Sequence, residues 1–131
     1  MDTLRTLASD LPLVFPVHPR TRSNLSRFGI DLGPNIHTTT PLSYMEFLCL
    51  WKDAEIILTD SGGLQEESSA VGVRCVTLRD STERPVTITD GTNILAGTNP
   101  ARILDVARTA LAQPASGKRP LLWDGRAAER I

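Results

Sequence analysis

Residues 58–67 read Leu-Thr-Asp-Ser-Gly-Gly-Leu-Gln-Glu-Glu, and this stretch decides the fold. The apolar run at residues 55–59 leads into it without a break. Ser61 is a natural N-cap residue, and the two glycines leave no Cβ at the first turn of the helix that it would begin. The stretch therefore predicts a buried strand that passes directly into a helix, the repeating unit of a parallel α/β sheet.

Further short apolar runs predict the other strands of such a sheet. They occupy residues 13–17, 35–38, 74–78 and 93–96. Helical spacing of apolar residues lies between them, over 44–51 and 103–111, and residues 123–131 have the composition of a last short helix. This alternation predicts an α/β fold, a parallel sheet flanked by helices, in a single domain of residues 1–131.

Composition excludes several classes of protein. Hydrophobic residues make up 40% and charged residues 22% of the 131, which is ordinary for a globular domain. A net charge of −1 argues against a nucleic-acid or membrane surface based on bulk charge. No apolar run approaches a membrane span, and the first residues lack the apolar stretch of a signal peptide, so we expect a cytoplasmic protein. Cys49 and Cys75 stand among apolar neighbours, which favours two buried, reduced thiols over a disulfide or metal pair.

The order of strands also locates a site. Ligands bind beyond the carboxyl ends of the strands in an open parallel sheet. The loops that leave those ends are residues 18–20, 39–41, 60–63 and 79–84. They hold most of the distinctive polar residues of the chain, which predicts a binding cleft along that edge.

The loop at Ser61, Gly62 and Gly63 has the features of an anion site. Exposed amides and the positive end of the helix dipole favour a phosphate at such a helix start. Glu67, one turn further, could reach a ribose hydroxyl beside the phosphates. Alternatively, Glu66 and Glu67 simply complement the helix dipole and face water, which is the interpretation that we favour for Glu66.

Arg84 is the second candidate phosphate ligand, because a guanidinium can bind a diphosphate through two parallel hydrogen bonds. The alternative is a surface salt bridge from Arg84 to Glu83 or Asp80. The residues alone leave both interpretations open.

Two segments together resemble a known family. Residues 59–67 and 79–85 are similar to hallmark segments of the non-hydrolysing UDP-N-acetylglucosamine 2-epimerases. The segments at 15–20, 41–47, 91–93 and 124–131 resemble the same family in the same order. The resemblance covers essentially the whole chain. Arg74, where a proline is usual, and Val86, where an acid is common, depart from the family pattern.

The resemblance implies a glycosyltransferase-B-like fold with two Rossmann-like domains, of which this chain is the second. The family interconverts UDP-N-acetylglucosamine and UDP-N-acetylmannosamine by eliminating UDP and adding it back, without NAD or metal, and serves cell-surface polysaccharide synthesis. The family's catalytic carboxylates lie in the N-terminal domain, so we expect no catalytic residue in this half. The implied partners are UDP-N-acetylglucosamine or UDP, the N-terminal domain, and a second subunit of a homodimer.

The resemblance also implies roles for individual residues. Ser61, Gly62 and Gly63 would hold the diphosphate, Glu67 the ribose, and Arg84 the phosphate side of the cleft. Phe47 would pack against the uracil, with a role in the apolar core as the alternative. His18 resembles a histidine near a second, regulatory nucleotide-sugar site, although a histidine bonded to backbone at a helix start fits equally well. His37 is expected to be structural or exposed.

Two other functions remain open at this point. One is a module that binds uridine nucleotides and performs no chemistry. The other is a related domain that uses UDP-sugars for glycosyl transfer. The pairing of Ser-Gly-Gly with Thr-Glu-Arg-Pro favours the epimerase.

Overall fold

Strands and helices alternate along the chain as the apolar runs predict. The computed structural model describes residues 1–114 and 117–131, which form two compact units, residues 1–49 and 50–131. The elements in chain order are α1 (Asp2–Asp10), β1 (Leu13–Pro16), α2 (Pro19–Arg27), β2 (Ile36–Thr39), α3 (Tyr44–Trp51), β3 (Ile57–Thr59), α4 (Gly62–Val71), β4 (Cys75–Thr77), α5 (Val86–Thr89), β5 (Asn93–Leu95), α6 (Pro100–Ala112) and α7 (Ala127–Arg130). Over the described part of the chain, no helix has the length and apolar character needed to cross a bilayer.

The first unit contains one parallel strand pair, β1 with β2. The register runs from Leu13 opposite Ile36 to Pro16 opposite Thr39. Arg5 on α1 donates from its Nε to the carbonyl oxygen of Asp31 at 2.8 Å, which ties the first helix to the segment before β2. The carboxyl ends of both strands lead into polar loops, as predicted.

The second unit contains a three-stranded parallel sheet in the order β3-β4-β5. Leu58 lies opposite Val76, which in turn lies opposite Ile94. The apolar cluster behind this sheet consists of buried Val76, Ala96 and Ala110 with partly buried neighbours at Ile56, Leu78, Ile103 and Val106. The parallel strands and flanking helices confirm the predicted α/β class. Hydrogen bonds join the described strands into two sheets, one in each unit, where the sequence pattern predicted a single sheet.

Arg74, which departs from the family pattern, has a structural role at the start of β4. Its Nη1 donates to the carbonyl oxygen of Glu55 at 3.1 Å, and its Nη2 donates to the carbonyl oxygen of Gln113 at 2.6 Å. The Gln113 carbonyl follows the last residue of α6, where helix carbonyls lack partners in the helix. The arginine therefore ties the segment before β3 to the end of α6.

The two cysteines differ in their surroundings. Both are free thiols, as expected, and Cys75 is buried in β4, where burial raises its pKa to about 11. Cys49 is exposed, so the prediction that both thiols are buried is wrong for Cys49. The reason lies in α3, whose sequence is apolar on more than one face, so that Tyr44 and Met45 are also exposed. Apolar neighbours in the sequence do not secure burial on such a helix.

Gly91 stands at the tightest backbone approach in the second unit. A Cβ at this position would lie 2.5 Å from Ser69 Oγ and 2.5 Å from the carbonyl oxygen of Thr87. The segment before β5 can thus pack against α4 and α5 only because residue 91 has no side chain.

We expect Gly91→Ala to lower the free energy of unfolding by about 1–3 kcal/mol, the usual cost of overpacking a rigid site. Chemical denaturation of both proteins measures this difference. Gly63→Ala is the matched control, since a Cβ there would meet only Ser61 Oγ at 4.0 Å. Equal stability losses in the two variants would contradict the packing argument.

Candidate functional site

The turn between β3 and α4 has the geometry of a helix N-cap. Ser61 has an extended backbone, with φ −75° and ψ 125°, and its Oγ accepts from the backbone N–H of Leu64 at 3.5 Å. The N–H of Ser61 donates to Thr59 Oγ1 at 3.0 Å, which fixes the turn from the strand side. The predicted N-cap is confirmed. Gly62 and Gly63 then occupy the first helical positions, where amides have no carbonyl partner within the helix.

The two glycines of this turn face different surroundings. A Cβ at Gly62 would lie 3.1 Å from Arg84 Cζ and 3.2 Å from Arg84 Nη1. Gly62 therefore allows the guanidinium of Arg84 to lie against the helix start. A Cβ at Gly63 would meet only Ser61 Oγ, at 4.0 Å. Packing within the protein does not require a glycine at position 63, so the surface there is accessible to a ligand.

Arg84 forms two ion pairs. Its Nε lies 3.0 Å from Glu66 Oε2, and its Nη1 lies 3.1 Å from Glu83 Oε1. The Nε atom is buried, but its N–H is not aligned on the Glu66 carboxylate, so this contact is an ion pair without a hydrogen bond. Glu66 is 44% exposed, so it does face water as expected, but it also pairs with Arg84, whose guanidinium reaches the first turns of α4 across Gly62. The alternative pairing of Arg84 with Glu83 is present.

Glu83 also pairs with a second arginine. Arg79 Nη1 lies 3.0 Å from Glu83 Oε2. The pKa of Glu83 is lowered from its ordinary value, first because its own backbone amide donates to the carboxylate and then because Arg79 does. The loop after β4 therefore holds two guanidinium groups around the Glu83 carboxylate, and one of them, Arg84, lies beside the start of α4.

A buried polar network lies beneath Arg84. Gln65 and Thr87 are fully buried, and Asn93 is 4% exposed. Thr82 Oγ1 donates to Gln65 Oε1 at 2.7 Å and accepts from the backbone N–H of Arg84 at 3.1 Å. Thr87 Oγ1 donates to the carbonyl oxygen of Arg84 at 2.7 Å and accepts from Asn93 Nδ2 at 2.8 Å.

Sequence reasoning did not identify this network or the role of Glu66. Glutamine and threonine are mostly surface residues, so their types gave no signal. The only signal in the sequence was that Gln65 and Thr82 lie in the segments at 59–67 and 79–85, which resemble the epimerase family; Thr87 lies outside the resembling segments.

The remaining candidate residues lie further along α4 or in the first unit. Glu67 is partly buried on α4, four residues after Gly63 and so on the same face of the helix. In the first unit, Phe47 is partly buried on α3. His18 caps α2, its Nδ1 accepting from the N–H of Arg20 at 3.3 Å, which is the alternative of a histidine bonded to backbone. His37 is exposed on β2, as expected.

The capping bond of Ser61 is long, and we expect it to contribute little to stability. Asn99 caps α6 with two shorter bonds, accepting from the N–H groups of Ala101 at 3.0 Å and Arg102 at 3.2 Å. Loss of a cap costs about 0.5–2 kcal/mol. We expect Ser61→Ala at the lower end of that range and Asn99→Ala above it, as measured by thermal and chemical unfolding. A larger loss for Ser61→Ala would show that Ser61 serves mainly as a cap.

Comparison with known proteins places this chain in a family. A family model described as UDP-N-acetylglucosamine 2-epimerase matches residues 1–131. A UDP-N-acetylglucosamine 2-epimerase from Methanocaldococcus jannaschii is 41% identical over 126 residues, which are 93% of this chain and 34% of the relative. A UDP-2,3-diacetamido-2,3-dideoxy-D-glucuronate 2-epimerase from Pseudomonas aeruginosa is 38% identical over 120 residues, 92% of this chain and 33% of the relative.

The fold agrees with the sequence matches. The crystal structure of the M. jannaschii UDP-GlcNAc 2-epimerase in complex with UDP-GlcNAc and UDP superposes with a TM-score of 0.77 at 40% identity, over 88% of this chain and 33% of that one. This chain spans about a third of the length of the curated relatives that it matches. Because the family model covers every residue and the resemblance extends to the fold, the chain belongs to the UDP-N-acetylglucosamine 2-epimerase family.

Proposed function

We propose that this chain supplies the UDP-binding half of a UDP-N-acetylglucosamine 2-epimerase. The complete enzyme would interconvert UDP-N-acetylglucosamine and UDP-N-acetylmannosamine by eliminating UDP and adding it back. The observation that carries the proposal is the placement of the Arg84 guanidinium against a glycine-lined helix start, 3.1 Å from the position of a Cβ at Gly62. A guanidinium and helix amides together suit a diphosphate.

The proposed chemistry of this half is stabilisation of the leaving group. As the bond from the sugar to UDP breaks, negative charge develops on the diphosphate. Fixed donors that face this charge lower the barrier to elimination. The amides of Gly62 and Gly63 would bind one phosphate of the diphosphate. Arg84 would bind the diphosphate from the side that faces the cleft. The ion pairs from Arg84 to Glu66 and Glu83 are partly exposed and therefore weak enough to rearrange around a ligand.

The helix face beyond the glycines suits the nucleoside. Glu67 shares this face with Gly63, so a diphosphate at the helix start would bring the ribose close to the Glu67 carboxylate. We assign Phe47 to the uracil by resemblance. His18 is our candidate contact for a second nucleotide-sugar, although its Nδ1 is already used as a cap.

The rest of the enzyme belongs to the proposal as well. We assign residues 1–131 to the second domain of a glycosyltransferase-B-like fold and the proton transfer at C2 to the family's N-terminal domain. We also infer a homodimer, a cytoplasmic location and a place in cell-surface polysaccharide synthesis. Neither NAD nor a metal ion is needed in this scheme.

The relatives support UDP rather than the sugar as the ligand of this half. The M. jannaschii and P. aeruginosa relatives are named for different sugars, but both names carry UDP. Both align with nearly the whole of this chain at similar identity. We therefore assign the choice of sugar mainly to the rest of the enzyme.

A calorimetric titration of the chain tests nucleotide binding. We expect UDP to bind and GDP to bind much more weakly. Arg84→Ala and Glu67→Ala should each weaken UDP binding about tenfold or more, since hydrogen bonds to charged groups contribute about 1.5–3 kcal/mol and 1.4 kcal/mol is a factor of ten. Gly63→Ala should weaken UDP binding without lowering stability.

Matched controls separate the site from general effects. Arg108→Ala removes the same charge from the middle of α6 and should leave UDP affinity unchanged. Uridine should bind equally to wild type and Arg84→Ala, because it has no phosphate. Equal affinity for UDP and GDP, or no effect of Arg84→Ala on UDP, would overturn the assignment of the site.

A chimera tests the epimerase assignment. We would join the N-terminal two-thirds of the M. jannaschii relative to this chain and measure formation of UDP-N-acetylmannosamine from UDP-N-acetylglucosamine. We expect turnover that Arg84→Ala reduces at least tenfold, because Arg84 would face the departing diphosphate. A folded chimera that binds UDP but has no turnover would favour the binding module. Transfer of the sugar to an acceptor would instead favour a glycosyltransferase.

A further inference from the structure

We propose that Gln65 and Asn93 are positioning residues for Arg84. Acting through Thr82 and Thr87, they hold the backbone of Arg84 at its N–H and at its carbonyl oxygen, and so set where the guanidinium meets an anionic ligand. The choice of UDP as that ligand rests on the proposed function. The hydrogen bonds that hold Arg84 are observed independently of that function.

The first arm runs from α4. Gln65 is fully buried, and its Oε1 accepts from Thr82 Oγ1 at 2.7 Å. The same Thr82 oxygen accepts from the backbone N–H of Arg84 at 3.1 Å. A buried carboxamide cannot exchange its partner for water, so loss of this contact leaves it unsatisfied. The loop after β4 is thereby attached to the interior face of α4.

The second arm runs from β5. Asn93 Nδ2 donates to Thr87 Oγ1 at 2.8 Å, and Thr87 Oγ1 donates to the carbonyl oxygen of Arg84 at 2.7 Å. Asn93 Nδ2 also donates to the backbone carbonyl oxygen of Gln65 at 3.3 Å. The two arms are joined through Gln65, and together they form a closed ring of hydrogen bonds around Arg84.

The surface contacts of Arg84 do not fix it equally well. Its side chain is 31% exposed, and its partners Glu66 and Glu83 are 44% and 54% exposed. Such ion pairs contribute little and are screened by salt. A long side chain gains precision when its backbone is held, because less freedom is lost on binding. The buried ring supplies this restraint where the ion pairs cannot.

The buried Thr92 provides a control for the partly buried Thr82. Thr92 is 7% exposed, and its hydroxyl donates to the carbonyl oxygen of Val73 at 2.6 Å. That bond has no connection to Arg84. Thr92→Val and Thr82→Val each replace one hydroxyl by a methyl group of similar size, so they separate general destabilisation from loss of positioning.

The ligand arm of the test is titration with UDP, with inorganic pyrophosphate as a second probe. We expect Thr82→Val and Gln65→Met to weaken both ligands about fivefold or more, the equivalent of one hydrogen bond. Thr82→Ser, which keeps the hydroxyl, should restore affinity, and Thr92→Val should not change it. In an Arg84→Ala background, Thr82→Val should have no further effect. The proposal would be overturned if Thr82→Val weakened binding by the same factor in the Arg84→Ala background as in the wild type. It would also be overturned if Thr92→Val weakened binding as much as Thr82→Val does.

The ligand-free arm is amide hydrogen exchange at Arg84. Thr82→Val should speed exchange of the Arg84 N–H by more than its loss in the free energy of unfolding explains. Thr92→Val should produce no such extra increase. Unchanged exchange in Thr82→Val would overturn the positioning role, whatever the ligand data. If wild type binds neither UDP nor pyrophosphate, the proposed function fails for this chain, and the exchange result alone decides the positioning role.

Discussion

The second unit depends on two hydrogen bonds to the buried Gln65, which join α4 to the loop after β4 and to β5. Glutamine is mostly a surface residue, and its polar group is costly to bury without partners. Here its Oε1 accepts from Thr82 and its backbone carbonyl oxygen accepts from Asn93, while its Nε2 has no hydrogen-bond partner among the described residues. These bonds draw the loop after β4 and the start of β5 against α4. Residues that are far apart in the sequence therefore form one rigid platform at the carboxyl ends of the strands.

Two glycines show how this platform serves two purposes. Gly91 is required by the protein itself, because Ser69 and the carbonyl of Thr87 occupy the space of a side chain. Gly63 is not required in this way, because a Cβ would meet only ordinary contact. Gly91 lets the segment before β5 pack closely against α4 and α5. Gly63 leaves the helix start open, which supports a ligand as its reason.

The sequence predicted the elements better than the contacts between them. Apolar runs predict all five strands of the described residues, and Ser61 is predicted as a cap, because these features depend on neighbours in the chain. The pairing of Glu66 with Arg84 is not predictable from the sequence, since the position of Glu66 on α4 does not reveal that Arg84 reaches across Gly62. Cys49 was misjudged because α3 is apolar on more than one face. The network around Gln65 depends on tertiary packing of residue types that are usually exposed, so no local pattern could predict it.

The charged groups of the platform bear on our proposal that this chain binds UDP while the N-terminal domain transfers the proton. A general base works best when its pKa lies near the working pH. Glu83, beside the proposed diphosphate site, has its pKa lowered by its own amide and by Arg79, and so moves away from that range. Glu66 lies against the Arg84 guanidinium. Both carboxylates are thus placed to orient arginines, and the lowered pKa of Glu83 makes that residue a poor base for a proton at C2. These contacts therefore support the proposal that the platform binds the diphosphate and that the proton chemistry belongs to the family's other domain.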